Sequence, residues 1–287
     1  LCGEELDIVR HRVEVYLFGK FLPYPLRPKD ILTRVNPFTT LWLLLSYLGQ
    51  AAKSPRKSQS EETYEQWVVR RFGHAMSQLT FLPLAEKTWG LPAGQISSQL
   101  AHQRIALSSL GEVIRELIRG KRKDKFLSPF YPLGCFLYPR SGFGTISQRL
   151  AQKIEEGGGV MRRECPTVGV TLEGNQVRAV TYEHNGDRHQ MDCDFLVSTI
   201  PIPQFVNMIS PPPPTQVLQA AASLRFRSLI LLYLGMNKDS VHGNTATFFP
   251  TKEFIFGRTW EQKNFSRQMG PKGKSVFGVE ITCWDSG

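Results

Sequence analysis

The spacing of apolar residues changes character near the middle of the chain. Over residues 62–79, Tyr64, Trp67, Val68, Phe72, Met76 and Leu79 recur at short helical intervals, which places them on one face of an α-helix. Residues 38–48 (FTTLWLLLSYL) are nearly all apolar and predict a buried helix. A third helix is expected from Ser97 or Ser108 toward Arg119. Ahead of these, residues 13–21 (VEVYLFGKF) read as extended, and prolines 23, 25 and 28 fix φ and remove amide donors, which breaks up helix. The polar stretch 51–60 (AAKSPRKSQS) reads as a loop. Most aromatic positions of this half are expected in a helical core.

The second half alternates instead. Thr145-Ile-Ser-Gln148 has the form of a capping box, with Leu150, Ala151 and Ile154 on one face behind it and Gly157 as the stop. Val168, Val170 and Leu172 then alternate with other residues, Gly174-Asn175 turns, residues 177–182 return, and Asn185-Gly186 predicts a type I′ hairpin. Residues 194–201 (DFLVSTIP) predict a short apolar strand ending in Ser198-Thr199. Prolines 211–214 make a stiff extended connection. Four further strands are expected at 228–235, 245–249, 253–258 and 275–283. No internal repeat is visible.

Composition narrows the class. With 287 residues, of which 41% are hydrophobic and 11% aromatic, the chain can bury a real core as two domains or one elaborate one. The longest apolar stretch, 41–48, is far short of the ~18 residues a membrane span needs, and no leader pattern opens the chain, so a cytoplasmic location is expected. The net charge of +10 is concentrated early: residues 1–125 carry 19 basic against 12 acidic side chains, with the densest run at 120–125 (GKRKDK). Such an excess suits nucleic acid, an anionic membrane surface or a phosphorylated substrate, or is simply a solvated face. The absence of interleaved aromatics and of helix-turn-helix or zinc patterns argues against nucleic acid; peripheral contact with a membrane stays open. Cysteines 2, 135, 165, 193 and 283 lack the close pairing of zinc ligands, and the six histidines are scattered, with His184 and His189 facing across the expected hairpin. No metal is assigned. Gly273-Lys274-Ser275 ends like a P-loop, but Gln268 stands where its opening glycine is required.

The order of these segments, with their local sequences, resembles a known family. YPRSGFGTISQRLAQKIEEGGGV (138–160) is similar to the glycine-bearing strand-to-helix block of the amine oxidase and protoporphyrinogen-oxidase-like superfamily, and DFLVSTIP (194–201) to its later strand. YLFGKFLPYPLRP (16–28), FLPLAEKTWGLPAGQISSQLAHQRI (81–105) and residues 256–287 resemble a subfamily described as protoporphyrinogen-oxidase-like or UDP-galactopyranose-mutase-like and often linked to polysaccharide assembly. Such proteins open on G-x-G-x-x-G, whose backbone amides hold the FAD pyrophosphate, and close on a segment that returns to the flavin. This chain has no G-x-G-x-x-G, and Gly142-Phe-Gly144 is only a G-x-G. The resemblance therefore implies the middle of a longer flavoprotein.

What the resemblance implies about sites follows residue by residue. Pro139, Arg140, Gly142 and Gly144 are expected beside the flavin, although the glycines would equally serve a strand-to-helix turn. Thr167 or Val168 would meet the adenine through backbone, and Ser198 and Thr199 would end a strand beneath the cofactor; all four could also be ordinary strand residues. Arg258, Trp260 and Asn264 are expected to face a substrate, an arginine being able to grip phosphate with two parallel hydrogen bonds, although a cross-strand pair explains Arg258 equally well. Tyr24 and Lys87 are weaker candidates, and no catalytic residue is assigned. The expected fold is α/β: residues 1–130 as the mainly helical part of a substrate domain, 131–203 as the later part of a Rossmann-like FAD domain, and 204–287 as the substrate domain's antiparallel sheet. The expected function is an FAD-dependent oxidoreductase acting on a small molecule. A flavin-dependent nucleotide-sugar isomerase and a non-catalytic scaffold that has lost the cofactor remain as alternatives.

Overall fold

A computed structural model of the chain describes residues 1–24, 26, 30, 33–53, 62–105 and 134–284. In chain order its strands are β1 (Leu6–Arg10), β2 (Val13–Leu17), β3 (Lys20–Pro23), β4 (Cys135–Pro139), β5 (Thr167–Glu173), β6 (Gln176–His184), β7 (Asp187–Asp192), β8 (Ile209–Ser210), β9 (Arg227–Met236), β10 (Ala246–Phe248), β11 (Arg258–Glu261) and β12 (Ser275–Trp284). Its longer helices are α1 (Pro37–Lys53), α2 (Tyr64–Phe72), α3 (Leu82–Trp89), α4 (Ser98–Arg104), α5 (Gly144–Glu156), α6 (Ile202–Asn207) and α7 (Thr215–Ala222). The chain divides into two compact units, residues 1–147 with 227–287, and residues 148–226.

The first unit holds a six-stranded sheet in the order β3-β2-β10-β11-β12-β9, antiparallel except for β2 beside β10, and a separate antiparallel pair β1-β4. Residues 13–21, expected as one extended piece, instead make the hairpin β2-β3. Gly19 and Phe18 both take positive φ at its tip, the backbone a tight turn with right-handed strand twist requires. Val15, Leu17 and Leu22 of that hairpin pack with Val35 into one core cluster. The larger cluster is helical: Tyr64, Trp67, Val68 and Phe72 of α2 meet Leu43 of α1, Leu82 and Ala85 of α3 and Ala101 of α4. At the start of α2 the Thr63 hydroxyl accepts from the Gln66 amide while the Gln66 side chain accepts from the Thr63 amide, so two orphan donors are satisfied reciprocally.

Three helical expectations change in detail. The helix of residues 62–79 is broken at Gly73 (φ 80°, ψ 159°), a conformation open essentially to glycine alone. A side chain there would also strike α1, since a β-carbon at Gly73 would lie 2.9 Å from Tyr47 Cα. A π-turn over Ser77–Phe81 follows before α3, whose second residue, Pro83, has no amide to donate. Residues 38–48 are helical, but that helix is not buried: Leu43 is enclosed, while Phe38, Leu41, Trp42, Leu45 and Leu48 are exposed. The all-apolar run did not distinguish the face that packs from the face that does not. The third expected helix is represented by α4, with Ser97 as its cap; Ser108 to Arg119, like most of 51–60 and all of 120–125, lies outside the described residues.

In the sheet, β9 and β12 pair over ten positions, from Arg227↔Trp284 to Met236↔Ser275. β9 is the outermost strand, and Leu229 to Leu234 are all exposed. The strand expected at 253–258 begins only at Arg258. Residues 249–256 form an irregular loop instead, with Phe249, Phe254 and Phe256 packed edge to face or tilted against one another.

The second unit is the expected meander, a four-stranded sheet in the order β7-β6-β5-β8. Asn185 (φ 52°) and Gly186 (φ 89°) form the type I′ turn between β6 and β7, which brings the rings of His184 and His189 to 6.4 Å. Two expectations fail near it. α5 opens at Gly144, so Thr145 lies inside the first turn and is not the N-cap. Residues 194–201 form no strand: among the described residues no backbone lies alongside to complete a ladder, and Phe195 and Val197 stand exposed.

Candidate functional site

In the first unit, β1, the 239–245 loop and the 263–268 segment enclose a cavity of about 950 Å³. Four cations line it, Arg10, Arg12, Lys263 and Arg267, against two carboxylates, Asp7 and Asp239. Both carboxylates are already engaged. Asp7 accepts from Arg140 Nε at 2.7 Å, and Asp239 accepts from Lys263 Nζ at 2.8 Å and from the Gly273 amide at 2.7 Å. The Lys263 hydrogen bond, followed by that of Gly273, holds the Asp239 carboxyl below its ordinary pKa. Among the described residues no carboxylate pairs with Arg10, Arg12 or Arg267, so the cavity keeps an unneutralised positive wall.

The 239–245 loop, which bonds to the Arg12 backbone through Thr245, is fixed by a buried carboxylate. Glu261, at 1% exposure, accepts from the amides of Val241 (2.9 Å) and His242 (2.9 Å) and from the Ser240 hydroxyl (3.2 Å). Burial pushes its pKa up, but these donors, the His242 amide foremost, outweigh burial and hold the carboxyl below the usual value. Asn264 completes the clamp by donating to the carbonyls of His242 (2.6 Å) and Asn244 (2.7 Å). Both amide hydrogens of Asn264 are thus spent on shaping the loop.

The structure brings several sequence-marked residues of this unit together. Tyr138 and Phe136 of β4 pack against Phe265, at ring separations of 5.1 and 6.1 Å, which sets β4 beside the cavity segment. Pro139 is buried at the end of β4 and Arg140 reaches the rim through Asp7. Gly142 (φ 101°) then turns the chain into α5. A side chain at Gly142 would press on Met269, 3.1 Å away, whereas Gly144 has open space above it. This stretch fits a flavin: open space and no side chain at Gly144, a cation at Arg140, and backbone free to approach a flat ring. In the second unit Thr167 and Val168 open β5 half-buried, while Ser198 and Thr199 lie exposed in the unpaired 194–201 segment.

Arg258 and Trp260 share one face of β11, the face opposite Thr259 and Glu261. Arg258 makes a two-pronged cross-strand pair with Glu280, at 2.8 and 2.6 Å. Trp260 covers Gly278, where any side chain would overlap the indole, and meets Tyr233 edge to face. Asn264 is not on that face. Tyr24 stacks at a tilt on Phe248.

Lys87, a weaker candidate from the sequence, sits in a cage of backbone carbonyls. Its ammonium donates to four carbonyl oxygens of one loop: Phe249 (2.6 Å), Thr251 (2.7 Å), Phe254 (2.9 Å) and Phe256 (3.1 Å). Burial lowers its pKa from 10.5 to about 8, which still leaves it charged at neutral pH, and the carbonyls favour the charged form. Its own carbonyl accepts from the Thr282 hydroxyl and from Arg227. Sequence reasoning missed this cage, and missed Glu261, Arg10, Arg12 and Arg267, because each gains its meaning only from partners distant in sequence.

Known proteins share this arrangement of elements. A crystal structure of reduced UDP-galactopyranose mutase superposes with TM-score 0.80 at 17% identity, covering 99% of this chain and 60% of that one. A putative protoporphyrinogen oxidase from Exiguobacterium sp. 255-15 gives 0.68 at 16% identity, with 98% and 61% covered, and cyclohexylamine oxidase from Brevibacterium oxydans IH-35A gives 0.53 at 13%, with 98% and 59% covered. At these identities the likeness establishes the fold, and the chain spans about 60% of the length of each. No curated protein sequence matches. Among the described residues no helix is long and apolar enough to cross a membrane. The family model for flavin containing amine oxidoreductase matches residues 18–274, nearly the whole chain, so the chain belongs to that flavin-dependent family.

Proposed function

We propose that this chain is the substrate-binding part, with a portion of the flavin-binding part, of an FAD-dependent oxidoreductase that takes hydride from a small anionic molecule. The observation that carries the proposal is the family match over residues 18–274 combined with the open space above Gly144 and a cavity whose arginines pair with no carboxylate among the described residues. A bound flavin supplies the hydride acceptor; the chain's own residues bind and orient. Gly142 and Gly144 let backbone approach the ring, and Arg140 offers a cation whose charge Asp7 tempers. In the second unit the family resemblance assigns the adenine to backbone at Thr167 or Val168 and the support of the cofactor to Ser198 and Thr199. Of the residues that the resemblance marks for substrate, Asn264 lines the arginine cavity, whereas Arg258 and Trp260 lie outside that lining, on the face of β11 opposite Glu261.

The cavity arginines favour a second reading, a mutase-like isomerase acting on a nucleotide sugar, because three guanidinium groups with no carboxylate partner among the described residues suit a diphosphate. UDP-galactopyranose mutase is among the structural neighbours, and a role in polysaccharide assembly would follow from that chemistry.

The experiment is direct. The purified chain is incubated with FAD, passed through gel filtration and examined by visible absorption. Co-eluting flavin, bleached anaerobically by one class of candidate substrate, supports the oxidoreductase; turnover of a nucleotide sugar with no net change in flavin redox state supports the isomerase. A folded chain that elutes colourless at high FAD concentration rules out both for this chain and leaves the scaffold alternative.

A further inference from the structure

α1 carries an apolar face that nothing in the described structure covers. Phe38 (82% exposed), Leu41 (53%), Trp42 (50%), Leu45 (59%) and Leu48 (53%) fall within about one third of the helix circumference at 3.6 residues per turn. The opposite side anchors the helix to its unit: Leu43 is buried, and the Ser46 hydroxyl accepts the Ala75 amide at 3.0 Å. The exposed stripe is therefore a fixed surface, held outward by packing behind it.

The charge pattern says what kind of surface it fits. From residue 37 to residue 52 the sequence has no charged residue, yet both flanks are basic: Arg27, Lys29 and Arg34 precede the helix and Lys53, Arg56 and Lys57 follow, with Asp30 the one acid between 27 and 57. Arg34 keeps about half its side chain in solvent even while 3.9 Å from Asp30. The face itself offers leucines and two aromatics only. An uncharged stripe of Leu, Trp and Phe flanked in sequence by cations on both sides has the make-up that suits an anionic bilayer, apolar chains for the stripe and phosphate-bearing headgroups for the cations. The 17 residues of α1 span about 25 Å at 1.5 Å per residue, and the helix is bound along its other side, so it lies along a bilayer surface and does not cross.

We infer that the α1 stripe docks the protein on an anionic lipid surface, with Phe38, Leu41, Trp42, Leu45 and Leu48 inserted at the headgroup–acyl boundary. The inference does not depend on flavin binding.

The test is flotation of the full chain with phosphatidylcholine vesicles and with mixed phosphatidylcholine–phosphatidylserine vesicles, on wild type and on the double variant Leu41→Glu/Leu45→Glu. Both positions are exposed, and far-UV circular dichroism checks that the variant is folded. Wild type should partition to the mixed vesicles, less to the neutral ones and less at high salt, and the variant should lose at least about tenfold in partitioning. Vesicles with brominated acyl chains supply a second readout: quenching of wild-type tryptophan fluorescence should exceed that of Trp42→Phe. Wild type that fails to float, or a folded double variant that floats as well as wild type, overturns the inference. So does a wild-type dimer that the double variant converts to a monomer without any vesicle binding, since the stripe would then cover a second copy.

Discussion

Replacing Lys87 by Met removes one nitrogen and orphans four carbonyls. The ammonium has three hydrogens and four acceptors between 2.6 and 3.1 Å, so at least one bond is shared. Hydrogen bonds to a charged group are worth ~1.5–3 kcal/mol, but Lys87 is only partly buried and water can recover some of the carbonyls. Counting about three bonds at roughly 1 kcal/mol net gives a loss of about 3 kcal/mol, offset little by the methionine because the cage is polar. For a unit of this size that corresponds to a fall of ~6–12 °C in the melting temperature. Thermal unfolding of the folded chain, followed by near-UV circular dichroism, measures it. Lys252→Met is the control: Lys252 is an exposed partner of Glu86 at 3.6 Å and should shift the midpoint by less than about 2 °C. Amide exchange should meanwhile quicken in residues 249–257 before it quickens elsewhere. A Lys87→Met midpoint indistinguishable from that of Lys252→Met would refute the cage as a source of stability.

Other outcomes follow from single contacts. Gly73→Ala should cost about 3 kcal/mol or more in urea unfolding, because it combines a glycine-only backbone conformation with a clash at Tyr47 Cα; a neutral effect would mean that α1 and α2 are not in van der Waals contact there. Glu261 has a lowered folded pKa, so its contribution is complete above its unfolded value of 4.5 and is lost as the pH falls through the lower folded value. Glu261→Gln should therefore be less stable at neutral pH and show a shallower acid limb between about pH 5 and 2, as read from melting temperature against pH. Arg258→Ala should cost about 1–2 kcal/mol of stability, since Arg258 is half-exposed but its mostly buried partner Glu280 loses both hydrogen bonds, while weakening any anionic ligand bound to that face. A large loss of stability with unchanged ligand affinity would reduce Arg258 to a structural residue.

Which of these features could be read from the chain follows the range of the interactions that make them. The meander of β5, β6 and β7 was legible because alternation and the Asn185-Gly186 turn act over a few residues. α2 was legible from its 3.6 periodicity, but its end was not: Gly73 stops it because α1 passes close by, a constraint set by Tyr47, far back along the chain. Residues 194–201 have the composition of a strand, yet a strand also needs a neighbour, and composition is silent on neighbours. The candidate site shows the same division. The Gly142–Gly144 turn could be marked from sequence, whereas Lys87 with its carbonyls some 160 residues away, and Glu261 with the 240–242 amides, become visible only when the fold closes.

The division of the chain into a continuous unit and a discontinuous one has a consequence for synthesis. Residues 148–226 pair only among themselves in β5 to β8, so this part can acquire its sheet while translation continues. The other unit cannot. β2 waits for β10, since Val13 pairs with Ala246, and β12, which lies between β11 and β9, is the last of its six strands to be made. Until Ser275 to Trp284 emerge, β9 lacks its one strand neighbour among the described residues, and the backbone amides and carbonyls of a run rich in leucine, isoleucine and tyrosine stand unpaired on a nascent chain. Sheet closure is therefore a late, high-contact-order event gated by one strand, and the interval before it is when chaperone capture competes with aggregation.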